Sequence, residues 1–256
     1  MITTEQVKEL RDATGVSVMQ CRKALEEAGG DMQKALMILK KKSSEIAAKK
    51  SDREAKDGVV VIKKEGTKAV AVILNCETDF VAKNEDFTSL ANTIAEKALA
   101  DGVEATQTAA PEMISAIVQK VGENIQLGDI REFTGETLGL YVHNGKSGVV
   151  TNLTGGTTDL AKDIAMHIAA MKPAYMSAND VPEDAKRMAT ELFAKEVAES
   201  EKPEDIQKKI LEGKISSYFK EQTLLDQPFI KNPDVTVGKL LESSGATLTE
   251  YAVFSI

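Results

Sequence analysis

Asn75-Cys76-Glu77-Thr78-Asp79-Phe80-Val81-Ala82-Lys83-Asn84-Glu85-Asp86-Phe87 joins two segments of different period. Before it, the apolar run from Ala69 to Leu74 reads as a buried strand. After it, Leu90, Ala91, Ile94, Ala95 and Ala98 recur at the spacing of one helix face. The stretch is a strand-to-helix corner, where a rigid frame can present functional groups. Thr78 is suited to N-cap a short helix, with Glu77 and Asp79 near its positive end. An acid followed by Phe80 and Val81 is unusual for a plain connection, because an apolar pair beside a carboxylate can act as a wedge. On helix physics alone, Phe80, Val81 and Phe87 belong to a core.

Upstream, residues 1–40 carry three short helical patterns. Thr3 and Gln6 have capping-box spacing, and Gly15 stops the first helix. Ser17 and Gln20 repeat the box, and Gly29-Gly30 ends the second helix. Asp31 can cap a third, with Ala35, Leu36 and Leu39 inward. Three helices in about 40 residues make a marginal core, which suits a unit that binds or packs on something else. Residues 40–57 are Lys-rich and polar, and read as a helix tail running into a tether.

Two strands then pair as a hairpin, Val59 to Ile62 and Ala69 to Cys76, around a turn at Lys63 to Thr67. Beyond the corner helix, Pro111 sits where a second helix is expected to begin. Ile130 to Thr134 closes this set as a strand. The same order then recurs. Leu138 to His143 and Gly148 to Leu153 flank an Asn144-Gly145 turn, and Thr158 is placed to cap a helix. A short helix from Val237 to Leu241 and a strand from Thr247 to Phe254 end the chain. The expected fold class is α+β: two related antiparallel-sheet and helix subdomains. Into the second copy is inserted a pair of amphipathic helices, residues 182–200 and from Pro203 onward, joined through Ser200-Glu201-Lys202 as a helical hairpin of coiled-coil type.

Composition narrows the function. The 256 residues carry 32 basic and 40 acidic side chains, a net charge of −8, which argues against general nucleic-acid binding. Trp is absent and aromatics make up 4%, so the cores are built from aliphatic residues and Met. Cys21 and Cys76 are far apart without metal-type spacing, and read as buried thiols in a reducing compartment. No apolar run approaches the ~20 residues of a membrane span, and Met1-Ile2-Thr3-Thr4 lacks signal-peptide character. The expected location is cytoplasmic.

Catalytic equipment is scarce. Gly145-Lys146-Ser147 imitates the end of a phosphate-binding loop, but the first glycine of that motif would fall on Leu140. The surrounding order is strand, turn, strand, with no helix N-terminus for a phosphate. Of the two histidines, His143 and His167, the second lies mid-helix among Ala and Met and reads as a packing residue. These features favour a protein-binding role over an enzyme. A general adaptor or RNA-associated factor, with its three-helix unit and Lys-rich tether, is the alternative.

Two long motifs carry a resemblance. "TDFVAKNEDF" at 78–87 and "LRDATGVSVMQCRKALEEAGGDMQKAL" at 10–36 resemble the elongation factor Ts family, nucleotide exchange factors of the GTPase elongation factor Tu. The resemblance implies a UBA-like three-helix domain with linker at 1–54, and core subdomains at 55–137 and 138–256 with a helical-hairpin insertion at 180–226. It implies that Thr78, Asp79, Phe80 and Val81 act on the partner's Mg²⁺ site, with Phe80 inserting between helices of the GTPase domain. Arg22, Lys23, Val121, Gly122, His143 and Ile230 match further positions that the family sets against its partner. Lys231 stands where an apolar residue is common, and the chain stops at Ile256, before a small helical module found in many members. No cofactor, metal, nucleic acid or membrane is implied.

Overall fold

The computed structural model describes residues 2–199 and 203–256. By their internal contacts these fall into two units. The first holds the residues up to Thr134, with Val142–Gly148 and Val253–Ile256; the second holds Gly135–Tyr141 and Val149–Ala252.

The first unit opens with α1 (Thr4–Thr14), α2 (Val18–Glu27) and α3 (Met32–Lys50). At α1 the capping box forms in full: the Thr3 hydroxyl accepts from the Gln6 amide and the Gln6 side chain accepts from the Thr3 amide. At α2 only half of it forms, because the Ser17 hydroxyl accepts from the Gln20 amide but donates to Gln20 Oε1 itself. Asp31 caps α3 by accepting from the Lys34 amide. Leu10, Cys21, Ala24, Leu25, Ala35 and Leu39 form the small core between these helices. The Lys-rich run does not leave the helix until Lys50. Leu39, Ser43, Ile46 and Ala47 keep an inward stripe going at helical spacing, and Ile46 and Ala47 pack on the next core.

Strands β1 (Asp57–Glu65), β2 (Lys68–Cys76) and β3 (Ile125–Thr134) form an antiparallel sheet in the order β1-β2-β3. Pairing of β1 with β2 continues to Glu65 opposite Lys68, so the turn is only Gly66-Thr67, tighter than the sequence suggested. Between β2 and β3 lie α4 (Asp79–Ala82), α5 (Glu85–Asp101) and α6 (Val103–Val121). Helix α6 starts well before Pro111 and runs through it. A proline in a helix interior removes a hydrogen bond and costs ~3 kcal/mol. Here Thr106 and Ala110 are buried with Ile114 and Val118, and that continuous apolar face outweighs the local penalty. Val70, Val72, Leu74, Phe87, Ile94 and Ala98 centre the core between sheet and helices.

The remaining elements, most of whose residues belong to the second unit, repeat the plan. Strands β4 (Thr137–His143) and β5 (Ser147–Thr154) are joined through Asn144 and Gly145, at φ 51° and 67°. Two successive left-handed residues make the turn that matches the twist of a hairpin. Helix α7 (Thr158–Met171) is capped by Thr157, not Thr158: Thr157 has the extended backbone of a cap, and its hydroxyl accepts from the Leu160 amide at 3.1 Å. Helices α8 (Glu183–Ala198) and α9 (Glu204–Gln222) pack together through the edge-on rings of Phe193 and Tyr218 and a Lys214–Glu196 ion pair. The Ser200-Glu201-Lys202 connection lies outside the described residues. A two-stranded ribbon of β6 (Pro228–Phe229) and β7 (Asn232–Thr236), then α10 (Val237–Ser243) and β8 (Thr247–Ser255), complete the chain. The sheet order is β4-β5-β8. Both sheets thus pair their first two strands in sequence and add the last strand beside the second.

His167 is fully buried on α7, as its neighbours suggested. Its Nδ1 accepts from the Ile230 amide at 3.1 Å, so the ring proton sits on Nε2 and faces Gln227 Oε1 at 2.9 Å. Gln227 in turn donates to the Glu221 carbonyl. Burial holds the imidazole pKa below its ordinary value. The neutral ring therefore contributes stability above the unfolded-chain pKa of ~6.5, and loses it as pH falls below that value. Urea unfolding between about pH 7.5 and 5 should show stability falling by up to ~1.4 kcal/mol per pH unit on the acid side. A His167→Gln variant should lack that part of the slope; equal slopes in the two proteins would contradict the assignment.

Candidate functional site

The corner after β2 is built from two caps and one helical turn. Thr78 has extended backbone at φ −132° and ψ 156°, and its hydroxyl accepts from the Val81 amide at 3.4 Å. Six positions on, Asn84 caps α5, accepting from the Asp86 and Phe87 amides at 2.9 and 3.4 Å. Only Asp79–Ala82 lies between them as α4. One turn has too few internal hydrogen bonds to hold itself, so its geometry comes from its caps and its buried face.

That face is decisive for the two phenylalanines. Val81, Ala82 and Phe87 are buried in the core of the first unit, whereas the Phe80 side chain is 82% exposed. The core reading holds for Val81 and Phe87 and fails for Phe80. Leaving a Phe in water forgoes roughly 1.5–3 kcal/mol of burial. Nothing in the chain's own packing recovers that. Asp79 is also exposed, and its carboxylate holds the Lys83 ammonium above its ordinary pKa through a 2.7 Å contact.

Beneath the turn, Glu123 was not singled out by the sequence. Its Oε2 accepts from the Glu77 and Thr78 amides at 3.2 and 3.1 Å, and its Oε1 accepts the Thr78 hydroxyl at 2.6 Å. Glu77 reciprocates, its carboxylate accepting from the Asn124 amide at 2.6 Å. The Asn124 side chain then donates to the Arg53 carbonyl at 2.6 Å, just past α3. Three segments distant in sequence are tied together at the base of the corner. The only local signal was an acid following the glycine that ends a helix.

Cys76 lies within this base. Burial pushes its thiol pKa up to about 12, with the negative charges of Asp57 and Glu123 adding to the effect. It stays protonated and donates to the Thr78 carbonyl at 3.2 Å. A thiol held in that state is a structural donor and not a nucleophile. Among the described residues, no group of three or more His, Cys, Asp or Glu is placed to hold a metal ion, and no helix is long and apolar enough to cross a membrane.

Beside Phe80 is an open hollow of about 410 Å³, bordered by Gly15, Asn84, Lys120 and Val121. Val121, half-buried, is thus brought to the same place as Phe80; Gly122 follows it as the left-handed cap of α6 at φ 78°. Lys120 reaches Asp86 at 2.9 Å and passes over Gly15, where a Cβ would come within 1.9 Å of its Cε. Gly15 also has φ 67°, so the backbone calls for glycine there, whereas the flexible end of Lys120 could swing aside. Arg22 and Lys23 are exposed on α2 of the same unit but do not border the hollow, and Arg22 pairs with Glu26. His143 is exposed at the end of β4, and Ile230 is 43% exposed after β6 in the second unit.

Comparison with known proteins points one way. The family described as "Elongation factor TS" matches residues 77–256, beginning at the corner itself. The chain is 44% identical over 259 residues to elongation factor Ts of Psychromonas ingrahamii, covering 98% of this chain and 89% of that protein. It is 41% identical over 274 residues to elongation factor Ts of Thioalkalivibrio sulfidiphilus, covering 100% and 92%.

The contrast between the two rings gives a stability test. Phe87→Ala should lower the unfolding free energy by about 3–5 kcal/mol, as for a fully buried aromatic. Phe80→Ala should change it by no more than ~0.5 kcal/mol. Urea titrations of the two variants at neutral pH distinguish these outcomes; similar losses at both positions would contradict the placement of Phe80.

Proposed function

The chain belongs to the elongation factor Ts family, and from that premise we propose that it is the guanine nucleotide exchange factor of elongation factor Tu. The family is one of translation elongation factors; the exchange activity and its mechanism are our reading for this chain. The observation that carries it is Phe80, a large apolar ring left 82% exposed on a turn whose other apolar residues are buried. Such a ring is suited to enter a pocket on a partner protein.

Exchange needs no bond-making. A factor that binds the nucleotide-free GTPase more tightly than the GDP-bound form must, by linkage, weaken GDP by the same ratio. In this reading Phe80 inserts between helices of the GTPase domain. The resulting shift disturbs the Mg²⁺ and phosphate site, whose charge balance holds GDP. Thr78 and Val81 anchor the turn from within, by a cap and by burial. Asp79 presents a carboxylate beside the ring. Val121 and Gly122, bordering or adjoining the hollow next to Phe80, extend the contact surface. Arg22, Lys23, His143 and Ile230 are exposed and available for further partner contacts. The activity belongs to the cytoplasm and calls for no cofactor of the chain's own.

Burying one Phe corresponds to one to two decades in a rate or affinity. Phe80→Ala should therefore slow factor-catalysed release of fluorescent GDP from elongation factor Tu by at least about tenfold, with an unchanged circular dichroism spectrum. Wild-type protein should comigrate with the GTPase in gel filtration at low GDP and be displaced by excess GDP with Mg²⁺. A Phe80→Ala protein that works at full speed would remove the wedge; comigration indifferent to nucleotide would remove the exchange reading.

A further inference from the structure

We infer that Glu123 is a positioning residue for exchange, setting the direction in which Phe80 is presented; this rests on the function proposed above. Phe80 is 82% exposed, so the chain's own packing covers little of its ring. Its orientation is inherited from the backbone of α4, which is one turn long. The start of that turn depends on the Thr78 side chain, because the Thr78 hydroxyl is the acceptor for the Val81 amide. A hydroxyl rotates freely unless its own proton is bound. Glu123 Oε1 binds it at 2.6 Å, while Oε2 fixes the two amides immediately before the turn, at Glu77 and Thr78. One carboxylate thus accepts three hydrogen bonds that together determine where α4 begins. Charged acceptors make stronger and more directional bonds than neutral ones. The neighbouring polar side chains are engaged otherwise: Cys76 donates to the Thr78 carbonyl, and Asp79 faces Lys83 on the exposed side.

The placement of Glu123 also couples the corner to the rest of the contact surface. It follows Val121 and Gly122 directly, at the end of α6, and Val121 borders the hollow beside Phe80. Asn124 answers from the same turn by donating to Glu77. A displacement of the Val121-Gly122 segment is therefore carried to the base of α4 through a rigid latch rather than lost in a loop.

The sequence contains no Trp, so Phe80→Trp introduces a single indole at the tip of the corner. In the free protein carrying that probe, Glu123→Ala should lower the fluorescence anisotropy of the indole, and Glu123→Gln should lower it less. A glutamine oxygen can still accept the two amides, whereas its NH₂ cannot accept the Thr78 hydroxyl. Equal anisotropy in all three proteins would overturn the inference without any reference to exchange. With native Phe80, Glu123→Ala should lower the maximal rate of GDP release by about tenfold, within the roughly hundredfold that misplacement by an ångström can cost. Glu123→Gln should recover part of it. In a Phe80→Ala background neither substitution should slow release further, because the residue acts through the ring. Full-speed Glu123→Ala, or the same loss with and without the ring, would overturn it. Should Glu123→Ala fail to fold, the Glu123→Gln comparison decides alone: a slowed rate and a looser indole support the assignment, and parent values of both refute it. Full activity of Phe80→Ala itself would instead remove the wedge, and comigration indifferent to nucleotide the exchange reading, each leaving the anisotropy result to stand.

Discussion

A single helical turn is too short to stabilise itself, and the corner at residues 79–82 is organised around that constraint. It is held from below by burial of Val81 and Ala82, from the front by the Thr78 cap, and from behind by the Asn84 cap of the next helix. Those supports are themselves tied to α6 and to the end of α3 through Glu123, Glu77 and Asn124. The sheet and helices of the first unit act as the rigid body to which this scaffold is fixed. Only on such a base does an exposed ring have a defined direction, since backbone freedom would otherwise spread it over many orientations at an entropic cost.

The two three-stranded sheets share one plan: two paired strands, helices, and a last strand beside the second. The first fills its connection with α4, α5 and α6; the second with α7 and, further on, the α8 and α9 pair. The same position after the second strand meets different fates. In the first unit Thr78 caps a one-turn helix with Phe80 outward; in the second Thr157 caps a long helix directly, whose His167 is turned inward. Equivalent topology thus carries a contact element in one unit and a packed core in the other, which is why function has to be argued from the residues at a site and not from the fold.

Much of this was legible from local pattern. Periodicity located α5 and α7, the Asn144-Gly145 turn fixed the second hairpin, and the threonine before Asp79 announced the cap at the corner. What local pattern missed was decided by contacts remote in sequence. Pro111 reads as a helix start, but burial of Thr106 and Ala110 carries α6 through it. The Lys-rich run reads as a helix tail running into a tether, but only packing of Ile46 and Ala47 shows that the helix goes on to Lys50. Phe80 and Phe87 are alike as residue types near a helix start, and no period says which is buried; the family resemblance pointed to Phe80, and the packing separates them. Glu123 was invisible because its meaning lies wholly in donors more than 40 residues earlier.

For the activity proposed, exposure of Phe80 before any partner arrives has an energetic consequence. A ring buried in the free factor would have to give up its own packing before entering a second protein, and the net gain would be near zero. A ring already in water brings its whole burial term, and a preset backbone removes the ordering cost that usually offsets such gains on association. The free energy released can then go into deforming the partner's nucleotide site rather than into organising the factor. The polar groups of the corner are engaged in holding it: its thiol is held protonated, its carboxylates at 77 and 123 accept from amides, and Asp79 is paired with Lys83. What the corner offers outward is shape and apolar surface, the features on which the proposed displacement relies.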